Sequence, residues 1–187
     1  MKNQFKINGM NAIMLASLLL ITSCNEQNKS GSTEAKEPKV DIHTAIITDN
    51  MEVLIQHIAF GKDLNKREPM NASTPLITAI VFDKTEMAKM LINAGADLSI
   101  QNNDGSTVLH IAAFFCKPEM VRLLLDKRAN KTTKNKYGQT PYETVAGSFS
   151  EVKEVYKGLG AMLEPMGLKL DLEYIEQTRP QVATLLK

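Results

Sequence analysis

Three histidines, two cysteines and three regularly placed glutamates are the side chains here that could do chemistry. They are His43, His57 and His110, Cys24 and Cys116, and Glu52, Glu86 and Glu119. A metal centre needs three or four N, O or S donors at close spacing. Around His43 and His110 there is no carboxylate or cysteine cluster of that kind. A nucleophile needs a base within reach, and Cys116 has only Lys117 beside it to lower its pKa. It is expected to be an inert, partly exposed thiol, with a reactive thiol as the sharper alternative. No G-x-S-x-G, H-E-x-x-H, phosphate-binding glycine loop or Cys–His pairing occurs. The expectation is therefore no catalytic site, no metal and no cofactor.

The glutamates find their explanation in the elements that carry them. Thr74-Pro75-Leu76-Ile77-Thr78-Ala79, Thr107-Val108-Leu109-His110-Ile111-Ala112 and Thr140-Pro141-Tyr142-Glu143-Thr144-Val145 follow one another at 33-residue spacing. Ile42-His43-Thr44-Ala45 stands 34 residues before Leu76. Behind these openings come Met87, Met90, Leu91 and Ile92, then Met120, Val121, Leu123, Leu124 and Leu125, apolar at helical spacing. Pro75 and Pro141 suit a first helical turn, where the missing N–H is not needed. Thr74 and Thr140 suit the cap before it, and Gly61 and Gly95 fall where the second helices should end.

This pattern resembles the ankyrin-repeat family, whose units open with T-P-L-H-x-A every 33 residues. The resemblance covers about residues 40–160. It implies an all-α solenoid of stacked helix-turn-helix units joined by short β-hairpin loops, with about four repeats and a C-terminal helical cap. No unit buries its apolar face alone, so stacking supplies the core. In the family the T-P-L-H histidine braces the hairpin loops, which is the role expected of His43 and His110. Cys116 stands where the family has Gly, and Arg128-Ala129-Asn130 replaces Gly-Ala-Asp, so that loop should be strained or reshaped.

Taken in order, the chain begins with Lys2, Lys6 and an apolar run from Ala12 to Ile21 that ends Leu20-Ile21-Thr22-Ser23-Cys24. The run is too short to span a bilayer, so residues 1–23 are expected to be a cleaved signal peptide. The ending resembles the bacterial lipoprotein signal, which implies diacylglycerol on Cys24; an ordinary signal peptide that happens to contain Cys is the alternative. Residues 24–39 hold the lipidated Cys and a polar tether, Asn25 to Lys39, of about 20–25 Å root-mean-square span. Asn25 follows the Cys where Asp would mark inner-membrane retention, which favours the outer membrane. Residues 40–162 form the repeats. The first repeat, Val40 to Lys66, carries polar Gln56 and a solvent-facing His57 as an N-terminal cap, and the loop Arg67 to Ala72 is one residue longer than the period. The fourth repeat's second helix is expected over Ser150 to Met162. Residues 163–187 read as the C-terminal cap, with short helices at Asp171 to Gln177 and Pro180 to Leu186 capped by Asp171 and Thr178.

Charge says little about the partner. The 187 residues carry +1, and loss of residues 1–23 removes two lysines and no acid, leaving −1. A nucleic-acid protein is not indicated, and no long-range field steers the chain to a membrane. In the family, variable hairpin and groove positions bind other proteins. Here these are Met70, Asn71, Ser73, Val81 and Phe82 in repeat two. From the next repeats come Gln101, Asn103, Asp104, Phe114, Phe115, Lys134, Lys136, Tyr137 and Gln139. With Ile47, the Val81-Phe82 and Phe114-Phe115 pairs would form an exposed apolar stripe, unless they pack inward. Lys127, Arg128, Lys131, Lys134 and Lys136 form a basic run that fits an acidic partner or is a solvated loop. The resemblances together imply a monomeric, lipid-anchored envelope protein, facing the periplasm or cell surface, that binds another protein. Small exported members resemble immunity proteins against antibacterial toxins; the alternative is a periplasmic scaffold or chaperone.

Overall fold

The computed structural model describes residues 37–61 and 64–187, and the signal, Cys24 and most of the tether lie outside them. Among the described residues nine α-helices follow one another with no β-strand. The first three helix pairs are α1 (Ile42–Ile47) and α2 (Met51–Phe60), α3 (Pro75–Val81) and α4 (Thr85–Asn93), α5 (Val108–Phe114) and α6 (Pro118–Asp126). Then come α7 (Pro141–Ala146), α8 (Phe149–Leu163), a 3-10 turn (Glu164–Met166) and α9 (Leu172–Leu186). None of these helices is long and apolar enough to cross a membrane.

The helices start where the caps put them. Thr74 Oγ1 accepts the Ile77 amide at 3.3 Å, and Thr140 and Glu143 cap each other's backbone reciprocally. Pro75, Pro118 and Pro141 occupy first turns. The first helices α1, α3, α5 and α7 pack in series. Ala45, Ala79 and Ala112 are fully buried between them, where a larger side chain would push the helices apart. Leu54, Met87, Leu91, Met120, Val121 and Leu124 line the buried faces of the second helices. A left-handed residue makes each tight turn between paired helices: Asp49, Asp83 and Cys116.

Four expectations need correction. The loops between repeats are hairpin-shaped turns rather than β-hairpins. A backbone bond closes each, from Glu68 N to Ser73 O, Asn102 N to Ser106 O, and Asn135 N to Gln139 O, and in the last two a second runs from Gly105 N to Asn102 O and from Gly138 N to Asn135 O. His57 does not face solvent; it is buried, with Nε2 2.8 Å from the Val40 carbonyl, and pins the segment that leads into α1. Residues Asp171 to Leu186 do not form two short helices. One helix runs through Pro180, held by Ile175, Val182 and Leu186 buried on either side of it, and Thr178 is buried inside it.

The fourth unit departs most. Its second helix was expected over Ser150 to Met162, and α8 does form there. Yet α9, not α8, packs on α7 as each earlier second helix packs on its own first helix, and it packs on α6 as well. Two features redirect the chain. Gly147, after α7, is extended and Ser148 after it is not left-handed, so the tight turn of the earlier units is lost. Only Phe149 and Tyr156 of α8 are buried, whereas α9 buries five residues.

Candidate protein-binding surface

Along one edge the hairpin tips are bonded in register. Asn103 N donates to Asn71 O at 2.8 Å, and Lys136 N to Asp104 O at 2.9 Å. The Asn71 amide reaches the Asp104 carboxylate at 3.2 Å, Asn103 reaches Met70 O at 3.3 Å, and Gln101 reaches Lys134 O at 3.2 Å. Gly105 is left-handed and would place a Cβ 2.9 Å from the Lys136 nitrogen, so the close approach of neighbouring tips requires glycine there.

Each hairpin is braced from within. Asn102 Oδ1 accepts the Asp104 and Ser106 amides, and Asn135 Oδ1 accepts those of Tyr137 and Gln139. In the first hairpin Pro69 holds the equivalent place and offers neither an N–H nor a side-chain acceptor. Glu68, one residue earlier, supplies both. Its carboxylate accepts the Met70, Asn71 and Ser73 amides at 2.6–2.9 Å. Burial raises its pKa, but these three amides outweigh that and hold it below the usual value.

His43 and His110 are bracing residues. His43 lies 2.8 Å from both Thr78 Oγ1 and Lys66 O. His110 Nδ1 accepts the Thr107 amide at 3.2 Å, which leaves Nε2–H to donate to Gln139 O at 3.0 Å. Burial lowers the His110 pKa, which keeps the ring neutral. No group of metal-binding side chains occurs among the described residues.

Of the proposed contact residues, Asn71, Gln101, Asn103, Asp104 and Gln139 are tied into this edge, and Ser73 is half-buried in it. What the edge presents outward is Met70, 69% exposed, and Tyr137, 72% exposed, flanked by exposed Lys134 and Lys136. Lys127 and Arg128 are also exposed, and neither they nor Lys136 forms a salt bridge among the described residues. Lys131 bonds to the Lys187 carbonyl oxygen at 2.9 Å.

The apolar stripe is not exposed in repeat three. Phe115 is buried and Phe114 lies beneath Tyr156 of α8, rings stacked 4.4 Å apart. Ile47, Val81 and Phe82 are half-buried. Val81 and Phe115 form part of the wall of a cleft of about 420 Å3, lined also by Leu168, Tyr174 and Ile175. Cys116 is also not partly exposed: it is buried, and burial pushes its thiol up to about 11. Sequence reading missed the residues that cover this region, Tyr156 and Arg179. Tyr156 donates to Phe114 O at 2.6 Å; the Arg179 guanidinium donates to the Tyr156 oxygen and Gly147 O, both at 3.1 Å. Their distance along the chain left no local signal.

No curated protein sequence matches the chain. Among solved structures, the ankyrin repeat domain of Bcl-3, described as a unique member of the IkappaB protein family, is similar. It shares 27% identity at a TM-score of 0.53, over 55% of this chain. The chain matches 45% of that structure's length. The family described as Ankyrin repeats (3 copies) matches residues 42–141, more than half of the chain. The protein therefore belongs to the ankyrin-repeat family, whose stacked repeats are protein–protein interaction modules.

Proposed function

We propose that this is a lipid-anchored protein of the bacterial envelope that binds a partner protein through its hairpin edge, and that it serves as an immunity protein against an antibacterial toxin. The observation that carries the binding surface is the exposure of Met70 and Tyr137 on an edge otherwise tied up in its own hydrogen bonds. A large apolar side chain held out by a braced scaffold is the kind of anchor that dominates interfaces. The exposed cations Lys127, Arg128 and Lys136, which form no salt bridge among the described residues, favour an acidic partner surface.

Lipid anchoring is supported by the order of Lys2, Lys6, the apolar run and Leu20-Ile21-Thr22-Ser23-Cys24. Two or more acyl chains hold a protein stably on a membrane, and the polar stretch to Lys39 would let the repeats stand off from it.

The test is a capture experiment in the native host with the full chain beside a Met70→Ala/Tyr137→Ala chain. One partner held by the first and lost by the second supports the edge; equal capture by both overturns it. Growth of a toxin-exposed strain with and without this protein tests immunity. A defect on deletion without any attacker would favour the scaffold or chaperone reading instead. Incorporation of an alkyne fatty acid that vanishes in Cys24→Ser would support the anchor, and its absence from the parent chain would sink it.

A further inference from the structure

Helix α8 sits on the stack as a guest. Of its fifteen residues two are buried, Phe149 and Tyr156. Its main packing partners are α9 and the 3-10 turn that follows it. Its outer flank leaves Val155 57% and Met162 58% exposed. It also contains Gly158 and Gly160, each of which weakens a helix by about 0.5–1 kcal/mol relative to Ala.

The place where α8 lands is preformed. Phe114 is the last residue of α5, where a helix leaves its carbonyls without a partner of its own. The carbonyl is thus open to an outside donor, and the Phe114 ring beside it offers an aromatic face. Tyr156 uses both, stacking at 4.4 Å with 23° between planes and donating at 2.6 Å. Beneath the same cover lies Cys116, fully buried and close enough to Tyr156 and Arg179 for the three to influence one another electrostatically. Arg179 is buried, its Nε has no partner, and no carboxylate pairs with it among the described residues. The contact between α8 and repeat three therefore centres on one phenol, beside a buried cation left partly unsatisfied.

We propose that this face of repeat three is a helix-receiving site. Helix α8 fills it within the chain, and it opens to an amphipathic helix of a partner that presents an aromatic side chain with a hydroxyl or N–H donor. Release of α8 frees the Phe114 ring and carbonyl and bares Cys116, while α9 keeps the fourth repeat closed. Once released, α8 unfolds, because fifteen residues with two glycines are too few to hold a helix alone. This site is separate from the hairpin edge and stands or falls independently of it.

Two measurements on the full chain test this. The first is alkylation of Cys116 by iodoacetamide across a urea series, followed by the mass of the peptide that carries it. Release of α8 predicts labelling with a shallower urea dependence than global unfolding. Tyr156→Phe, which keeps the stack and deletes the donor, should accelerate labelling about 3–10-fold. Gly158→Ala, whose methyl group meets nothing within 4 Å, should slow it by up to about 5-fold. The second is anisotropy of a labelled peptide spanning residues 148–164. It should bind the Tyr156→Ala chain at least about tenfold more tightly than the parent chain, and lose binding when its own Tyr156 is replaced by Ala. Labelling with the full urea dependence of unfolding would overturn the proposal. So would parent-like labelling in Tyr156→Phe, or a folded Tyr156→Ala chain that ignores the peptide.

Discussion

Lys117 reaches back to Asp83, its ammonium 2.6 Å from the carboxylate, and Lys84 does the same to Asp49 at 3.0 Å. Both aspartates make the left-handed turn between the helices of a repeat, so each one shapes its own turn and ties it to the next. The series ends at Cys116, whose side chain turns into the cover formed by Tyr156 and Arg179 rather than out to a lysine.

These two jobs can be separated at Asp83. Asn tolerates left-handed backbone and loses only the charge. Asp83→Asn should therefore cost less than about 1 kcal/mol, and high salt should shrink that difference. Asp83→Ala adds the strain of a Cβ in the left-handed region and should cost about 1–2 kcal/mol more. Urea unfolding of the three chains at low and high salt checks both. Equal losses for Asn and Ala would mean that the turn is not strained.

The same reasoning orders three loop positions. Ala72 and Arg128 are left-handed at φ 52° and 63°, where repeat neighbours have Gly105, Gly138 or Gly95. Ala72→Gly and Arg128→Gly should each stabilise the fold by up to about 1 kcal/mol. Gly105→Ala should destabilise it by more than either gain, since its methyl group would lie 2.9 Å from the Lys136 nitrogen. Thermal unfolding of the three single variants gives the order directly. Arg128 also bears out the expectation of a strained loop, and the strain is taken up without reshaping the turn.

What could be read in advance was whatever is written locally and then repeated. Openings at Thr74, Thr107 and Thr140, 33 residues apart, marked the first helices, and His43 and His110 brace loops as the family resemblance implied. The extra residue of the first loop was visible as a 34-residue interval. Its consequence, Glu68 standing in for an asparagine displaced by Pro69, needed the hairpin geometry. The exchange of α8 and α9 was not legible, because both segments have helical patterns and the choice between them is made by burial against α6 and α7. Cys116 and Phe115 were misjudged for the same reason: their cover comes from residues some 40–60 positions later, and no local spacing encodes it.

His110 gives the fold a pH dependence with a definite sign. Its Nδ1 accepts an amide and burial lowers its pKa below 6.5, so the folded ring resists a proton that the unfolded chain takes up. Stability is complete above about 6.5 and is lost as pH falls below it, until the folded pKa is reached. Unfolding midpoints from pH 8 to 5 should therefore decline. His110→Gln should start from a lower stability, about 1–3 kcal/mol for the broken brace, and should flatten that decline. A decline of the same slope in the variant would assign it to another group.

Glu68 acts in a lower window. The amides of Met70, Asn71 and Ser73 hold its folded pKa below 4.5, so its contribution is present above about 4.5 and disappears as pH falls through the folded value. Replacement by Gln keeps the length but exchanges one carboxylate oxygen for a donor, which cannot serve the amides on both sides. Glu68→Gln should cost about 1–3 kcal/mol at neutral pH and remove the loss between about pH 4.5 and the acid limb, while leaving the His110 decline above it intact. Because Glu68 sets the loop that carries Met70, the same variant should loosen the edge without touching its exposed side chains. Faster amide exchange at Asn71 and Ser73, with exchange in α5 unchanged, is the expected readout. Exchange that rises equally in α5 would mean that Glu68 supports the whole stack rather than the first tip.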